Sequence, residues 1–256
     1  ENSNSSMSDV IKDNDRLSIF YEGLLATGLR DTLLKVKDET YNGKLYDLYY
    51  YKSHTWSEVA SAPEDKKYGF TIFVEPDEVY LSKFDELGIS TAQGMTRALY
   101  DLACKIYDPV YGNDADYQAA HDFDKLTERY NPLNMFIAYH ILTRDVIGWN
   151  MLTPLELHQG IVDGAIGIKI DKMNPNDWYE TLLPHSMMKL EQATVREYLG
   201  NAERGQRYIN RRVDEKFSID GSKVLPTVED KYVQDAPNGR YFYIDKIIAY
   251  DHDTRE

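Results

Sequence analysis

The chain has 256 residues, a length that allows a self-sufficient hydrophobic core and either one large domain or two ordinary ones. It carries 43 acidic and 29 basic residues, and its net charge of −14 repels phosphate backbones and anionic lipid headgroups. We therefore expect no nucleic-acid partner. No apolar run approaches the roughly 18 residues that span a bilayer, so we also expect no direct membrane insertion.

The first residues, ENSNSSMS, are polar and of low complexity. They predict a flexible N-terminal tether over residues 1–8, followed by a folded region over residues 9–256. The run DNDRLSIFYEGLLATGL predicts an amphipathic helix, with Asp13 or Asn14 as its cap and Gly28 just beyond its end. The apolar positions at helical spacing are Leu17, Phe20, Tyr21, Leu24 and Leu25.

A tyrosine-rich segment follows the turn signal Asn42-Gly43, and its aromatic residues favour β structure. Tyrosine combines a rigid apolar face with a hydrogen-bonding tip, which suits a wet binding surface. A β-hairpin whose aromatic rings only pack on the sheet is the alternative. The candidate binding residues of this segment are Tyr46, Tyr49, Tyr50, Tyr51 and Trp56.

The middle of the chain predicts a strand and two helices. FTIFV at 70–74 reads as a buried strand, and a helix follows Pro76 and stops at Gly88. A second helix is expected from Ser90 to about Tyr107. It contains the lone cysteine, Cys104, whose apolar neighbours indicate a buried, unreactive thiol.

An acidic loop, DPVYGNDADY, is expected after that helix. Its hard oxygens could bind calcium, but the spacing lacks the EF-hand pattern and also suits a solvated loop. The oxygen-bearing residues concerned are Asp108, Asn113, Asp114, Asp116, Asp122 and Asp124. The histidines at 54, 121, 158, 185 and 252 are scattered, and we predict no metal site.

Asn131 and Pro132 form a strong helix start, and the helix that follows directs His140 inward. A helical or irregular stretch is expected over 150–180. The last third contains strand-like pieces, among them TLLPHSMMKL, RYINRRV and RYFYIDKIIAY. Early helices and late strands predict an α+β fold rather than alternating βαβ units.

Four segments in this order resemble the fasciclin adhesion domain. FYEGLLATGLRDTLL is similar to the family's opening helix, YGFTIFVEPDEVY to its first motif, MFIAYHIL to its central Tyr-His helix, and NGRYFYIDKIIAY to its second motif. Each occurs once, so the resemblance implies a single enlarged domain with insertions near 42–67, 89–125 and 150–180. Glu75 and Phe242 depart from the family's usual proline and histidine.

The resemblance implies a β-sandwich wedge of two sheets with helices packed along one side. It also implies an extracytoplasmic adhesion or binding module that recognises a protein or glycan at the cell surface. Such a protein is secreted or held in the cell envelope, with a lipid anchor on a removed N-terminal segment as one option. Tyr139 and His140 match the pair associated with adhesion in animal members, so both join the candidate binding residues.

No local signature of a hydrolase, nucleotide-binding protein or zinc protease occurs, so we expect no enzymatic activity and no cofactor. Asp245, within a strand, is expected to tie one element to another through hydrogen bonds. Two alternatives stay open. One is an enzyme that acts on a surface polysaccharide with two carboxylates, and the other is a structural spacer of the cell envelope.

Overall fold

The fold is described from a computed structural model, which covers residues 6–35, 37–42, 69–143, 177–192, 207–211, 221–225, 234–236 and 238–249. The candidate binding residues Tyr46, Tyr49, Tyr50, Tyr51 and Trp56 lie outside these ranges. Most of the helical or irregular stretch expected over 150–180 also lies outside these ranges. Within the described ranges, no helix combines the length and apolar character that a membrane crossing requires.

Helices dominate the first half of the chain. They are α1 (Met7–Lys12), α2 (Ser18–Thr27), α3 (Leu29–Leu34), α4 (Asp77–Leu87), α5 (Met95–Tyr111), α6 (Ala115–Ala120) and α7 (Pro132–Tyr139), with 3₁₀ turns at Asp15–Leu17 and Phe123–Lys125. Gly28 and Gly88 end α2 and α4 in the left-handed conformation, with φ of 77° and 66°. The Asn131 side chain caps α7. These helix ends agree with the sequence predictions.

The second predicted helix and the acidic loop after it are corrected by the structure. The helix α5 begins at Met95 rather than Ser90, and it continues through Pro109 to Tyr111. Pro109 has no amide hydrogen, so α5 lacks the hydrogen bond to the Lys105 carbonyl and still continues to Tyr111. The loop is then short, since Asp114 caps α6 by accepting the Tyr117 amide at 2.9 Å.

Residues 6–8, predicted as part of the tether, belong instead to the start of the first helix. Ser6 and Asp9 form a capping box that starts α1, and Met7 and Ser8 are buried. The Asn238 side chain fixes this start, because its Oδ1 accepts the Met7 amide at 2.8 Å. Its Nδ2 donates to carbonyl oxygens at the end of α3. One amide side chain thus anchors the first and third helices to the last strand.

The strands form one hydrogen-bonded path. They are β1 (Phe70–Val74), β2 (Ile141–Leu142), β3 (Asp177–Glu180), β4 (Met187–Gln192), β5 (Arg207–Ile209), β6 (Ser222–Leu225), β7 (Gln234–Ala236) and β8 (Gly239–Ile244). Their order is β2-β1-β8-β6-β5-β4-β3, and β7 pairs with β8. Only β1 and β8 pair in parallel among these strands. A bridge between Leu142 and Thr181 links the two ends of the path, so the sheet nearly closes.

The α+β class is confirmed by this mixed sheet and its helices, whereas the two-sheet wedge stays a prediction. One of the late strands was predicted too long. TLLPHS at 181–186 forms a turn rather than a strand, in which the Thr181 and Ser186 hydroxyls lie 2.6 Å apart and His185 has a φ of 60°. The Ser186 hydroxyl donates to the Leu183 carbonyl, which holds this turn together.

The core lies between the sheet and a layer of α2, α5 and α7. All five residues of β1 are buried, as the continuous apolar run predicts for a strand covered on both faces. The ring of Phe73 in β1 stacks on that of Phe242 in β8, with centroids 5.1 Å apart. At Gly23 in α2, an added Cβ would lie 2.6 Å from the Ile137 Cδ1, so the small residue lets α2 approach α7 closely.

Candidate functional site

A buried polar network joins the end of β1 to the end of α7. The His140 Nε2 lies 2.6 Å from the Glu75 Oε1 and 2.9 Å from its Oε2, and neither side chain has any exposed surface. The Tyr80 hydroxyl donates to the Glu75 Oε2 at 3.0 Å. Burial raises the pKa of Tyr80 well above its usual value, and the Glu75 carboxylate beside it raises it further. Glu75, the departure from the fasciclin pattern, is therefore the partner of His140.

The positions of the protons in this network follow from which atoms can donate a hydrogen bond and which can only accept one. A carbonyl oxygen can only accept, so the His140 Nδ1, 2.8 Å from the Phe136 oxygen, carries a hydrogen. One further proton then lies between Nε2 and Glu75, whether it is assigned to nitrogen or to oxygen. The pair is neutral overall, which is the arrangement that a dry interior tolerates.

Tyr139 and His140, both proposed from the resemblance as binding residues, are fully buried. The Tyr139 hydroxyl donates to the Met187 carbonyl and accepts from the Asn210 side chain, at 2.9 Å each. The inward direction predicted for His140 is confirmed. Neither side chain reaches the surface in this conformation, so neither contacts a partner without a rearrangement.

Asp245 has the connecting role that the sequence predicted. Its Oδ1 accepts the Lys223 amide at 2.8 Å, and its own amide donates to the Lys223 carbonyl at 3.1 Å. These bonds extend the pairing of β6 and β8 beyond the last residue of β8. Asp245 thus stabilises the sheet.

A second polar cluster lies on the hairpin that α5 and α6 form. The side chains of Cys104, Asp108 and His121 bring a sulfur, a carboxylate oxygen and an imidazole nitrogen within 4.8 Å of one another. The His121 Nε2 is 2.8 Å from the Asp108 Oδ1, and the Tyr117 hydroxyl donates to the same oxygen at 2.6 Å. Both Asp108 and His121 are partly exposed to solvent.

Burial raises the pKa of the Cys104 thiol to about 12, although a hydrogen bond from Tyr100 opposes the shift. The pKa of Tyr117 is also raised, first by burial and then by its bond to Asp108. Of the acidic run considered for calcium, Asp108 alone joins this cluster. Asp114 and Asp122 instead accept backbone amides of Tyr117 and Asp124.

An aliphatic groove of about 390 Å³ lies between α4, α5, β5 and residues 246–249. Helix α5 presents Leu102, Ile106 and Val110 to it, one turn apart. Leu87 of α4 lines the opposite side and is 39% exposed. The charged residues among the described lining are lysines, Lys83 and Lys246.

The groove continues along α4 into a more acidic region, where Glu78, Glu86 and Asp245 line the surface. Glu86 pairs with Lys83 at 3.1 Å, and Glu78 pairs with Arg16 at 2.8 Å. Burial acts to raise the pKa of Glu78, but a hydrogen bond from Arg16, a hydrogen bond from the Glu78 backbone and the charge of Arg16 together outweigh it, and the pKa falls below its usual value. A general acid of a glycosidase needs a shift in the other direction.

No protein-family model matches the chain, and no curated protein matches it significantly. Among solved structures, the chain is similar to the FAS1 domain pair of the insect cell adhesion molecule fasciclin I, with 10% sequence identity and a TM-score of 0.43. The match covers 98% of this chain and 52% of that one, so the chain spans about half the length of that structure. Membership of the fasciclin family stays a prediction.

The sequence does not indicate the cluster of Cys104, Asp108 and His121, and it does not indicate the groove. His121 was grouped with scattered histidines, because the loop prediction placed no helix between it and Asp108. The one signal available was the spacing of Cys104 and Asp108, which are four residues apart and so share a helix face. The groove was not predictable, since β5 and residues 246–249 meet α5 only in the folded chain.

Proposed function

We propose that the chain is a non-catalytic, extracytoplasmic binding module that holds a segment of a partner protein in the aliphatic groove. The groove itself is the observation that carries the proposal. Leu102, Ile106 and Val110 line it with aliphatic surface, and Lys83 and Lys246 are the charged residues of its described lining. Lys83 is already paired with Glu86, so it is the charge of Lys246, beside the apolar lining, that favours a ligand with aliphatic side chains and a nearby carboxylate.

A protein segment suits this groove better than a glycan. Tyrosine and tryptophan are the side chains that offer a flat apolar face with a polar tip, and no aromatic ring occurs in the described lining of the groove. A glycan ligand remains the proposal for the tyrosine-rich segment that contains Tyr49, Tyr50 and Tyr51. The two proposals therefore assign the two ligand classes to different residues of the chain.

Selection from a displayed random peptide library tests the groove, with Leu87→Glu as the decisive variant. Leu87 and Leu81 are both exposed leucines of α4, but Leu87 lines the groove and Leu81 does not. We expect selected peptides to combine aliphatic and acidic residues. Leu87→Glu should weaken their binding about tenfold or more, because it puts a carboxylate on an apolar contact and repels an acidic ligand.

Leu81→Glu is the matched control and should leave binding unchanged, since it adds the same charge to the same helix. Equal losses in both variants would mean that the net charge matters and the groove does not. A glycan array, read with the intact protein and with Tyr49, Tyr50 and Tyr51 all replaced by Ala, tests the other surface. Glycan binding that this triple variant loses, without any peptide binding at the groove, would overturn the protein-ligand proposal.

A further inference from the structure

We infer that the α5–α6 hairpin carries a binding site for a divalent metal ion of the zinc class, with Cys104, Asp108 and His121 as its protein ligands. The three ligand atoms lie within 4.8 Å of one another. In a tetrahedral site two nitrogen or oxygen ligands, each about 2.0 Å from the ion, are about 3.3 Å apart. Small side-chain rotations separate His121 from Asp108 and draw in the Cys104 sulfur.

The hairpin explains why the ligands converge. Cys104 and Asp108 are one turn apart on α5, so both side chains project from one helix face. The connection to α6 is tight, because the Gly112 amide donates to the Asp108 carbonyl at 2.9 Å and Asp114 caps α6. Helix α6 then returns the chain, and His121 follows its last residue beside Asp108.

The ligand types select the metal. A thiolate, an imidazole and a carboxylate together suit zinc, whereas calcium and magnesium take oxygen ligands alone. Asp108 and His121 are 49% and 35% exposed, so an ion can enter from solvent. Three protein ligands and an exposed side leave the fourth tetrahedral position to water.

Tyrosines already form the outer shell that metal ligands require. The Tyr117 hydroxyl donates to the Asp108 Oδ1 at 2.6 Å, and the Tyr100 hydroxyl hydrogen-bonds the Cys104 sulfur. The rings of Tyr100 and Tyr117 meet the His121 ring edge-to-face, at centroid distances of 6.1 and 5.5 Å respectively. Such partners orient the ligands and are themselves worth roughly 10–100-fold in metal affinity.

Cobalt(II) is the spectroscopic probe, added to the tag-free full chain. We expect one equivalent to give the visible bands of tetrahedral cobalt and a thiolate-to-cobalt charge-transfer band in the near ultraviolet. Zinc ions should remove both in a one-to-one titration. The charge-transfer band reports the Cys104 sulfur directly, because the chain contains one cysteine.

Variants identify the ligands by zinc calorimetry. Cys104→Ser and His121→Ala should each weaken zinc binding by more than about 100-fold, and Tyr117→Phe by roughly 10–100-fold. His185→Asn and Asp116→Asn are matched controls, since they remove an exposed histidine and an exposed acid that lie outside the cluster. Far-ultraviolet circular dichroism of each variant confirms that it is folded.

The proposal is overturned if cobalt gives no thiolate band, or if folded Cys104→Ser and His121→Ala bind zinc as the parent does. It is also overturned if His185→Asn or Asp116→Asn reduces zinc affinity as much as His121→Ala does, because the ion then binds scattered surface groups. A thiolate band that is lost in Cys104→Ser and His121→Ala, that needs more cobalt in Tyr117→Phe and that is kept in both controls supports the site.

Discussion

The described part of the chain contains two trios of the same chemistry in different surroundings, each a tyrosine hydroxyl, a carboxylate and an imidazole. In the first, Tyr80 donates to Glu75, and Glu75 faces the His140 Nε2. Glu75 and His140 are entirely buried between β1 and α7. Phe20 and Phe136 pack against the His140 ring, with centroids 5.4 and 4.7 Å away, so water has no access to it.

In the second trio, Tyr117 donates to Asp108, and Asp108 faces the His121 Nε2. Here a third to a half of the acid and the imidazole is exposed, and the Cys104 sulfur lies within reach of both. The imidazole and the carboxylate are in hydrogen-bond contact in both trios, at 2.6 and 2.8 Å. The main difference between the trios is their burial.

Burial decides what each trio can do. In a dry interior, a carboxylate or an imidazole that loses its hydrogen-bond partner finds no water to replace it. The first trio therefore stabilises the fold, and separating its members is costly. At the surface the same contacts are screened and replaceable by water, and an ion can separate them at low cost. The first trio is therefore a structural element, and the second has the properties of a site.

The largest expected effect comes from the buried trio. Glu75→Leu leaves the His140 Nε2 and the Tyr80 hydroxyl without their hydrogen-bond partner in the core. Removal of one member of a buried pair costs about 3–5 kcal/mol, and we expect that loss in the free energy of unfolding. Urea denaturation followed by tryptophan fluorescence measures it.

The double variant Glu75→Leu with His140→Phe is the control for that prediction. It removes both members of the pair, so it should be more stable than Glu75→Leu alone. A double variant as unstable as the sum of the two single changes would show that the lost stability comes from packing around the residues and not from an unpaired polar group.

Removal of either tyrosine hydroxyl should cost less stability than Glu75→Leu, and the two losses should differ from each other. Tyr80→Phe deletes a buried hydrogen bond to the carboxyl group and should lower the free energy of unfolding by about 1.5–3 kcal/mol. Tyr117→Phe deletes the equivalent bond to a partly exposed acid, which water can replace, and should cost less than Tyr80→Phe. Equal losses, measured by chemical denaturation, would contradict the distinction between the trios.

The smallest effect is expected from His121→Ala in metal-free buffer. Exposed ion pairs contribute about 0–1 kcal/mol, so the thermal midpoint should hardly move. With zinc present the parent protein should gain a higher midpoint and the variant should not, because an ion that binds only the native state stabilises it. A large loss of stability without metal would place His121 among the structural histidines.

Local signals made much of the described fold predictable. The apolar run of β1, the Asn131-Pro132 start of α7 and the glycines that end α2 and α4 each act within a few residues, and the structure confirms them. The predicted end of α5 is wrong, because Pro109 and Gly112 are loop signals in the sequence whereas the helix continues past the proline to Tyr111. A proline inside a helix removes one hydrogen bond of the ladder, and burial of the apolar face of α5 outweighs that loss.

The candidate sites depend on contacts between distant residues, and no local pattern records those. Glu75 and His140 are 65 positions apart, so the sequence showed only a departure from a family motif and an inward histidine. Asp108 and His121 are 13 apart, but their meeting depended on α6, which was predicted as loop. The tyrosine-rich candidates remain predictions, since they lie outside the described residues.

The parallel pairing of β1 with β8 has a consequence for how the chain folds. Residues 70–74 cannot complete their hydrogen bonds until residues 239–244 arrive, and the Met7 amide meets its partner across 231 positions. Contacts between residues so far apart in the sequence make folding slow. Until they form, an edge of the apolar strand β1 stays unpaired. We expect a nascent chain to acquire its native structure only after most of its length has been synthesised, and a chaperone to be useful until then.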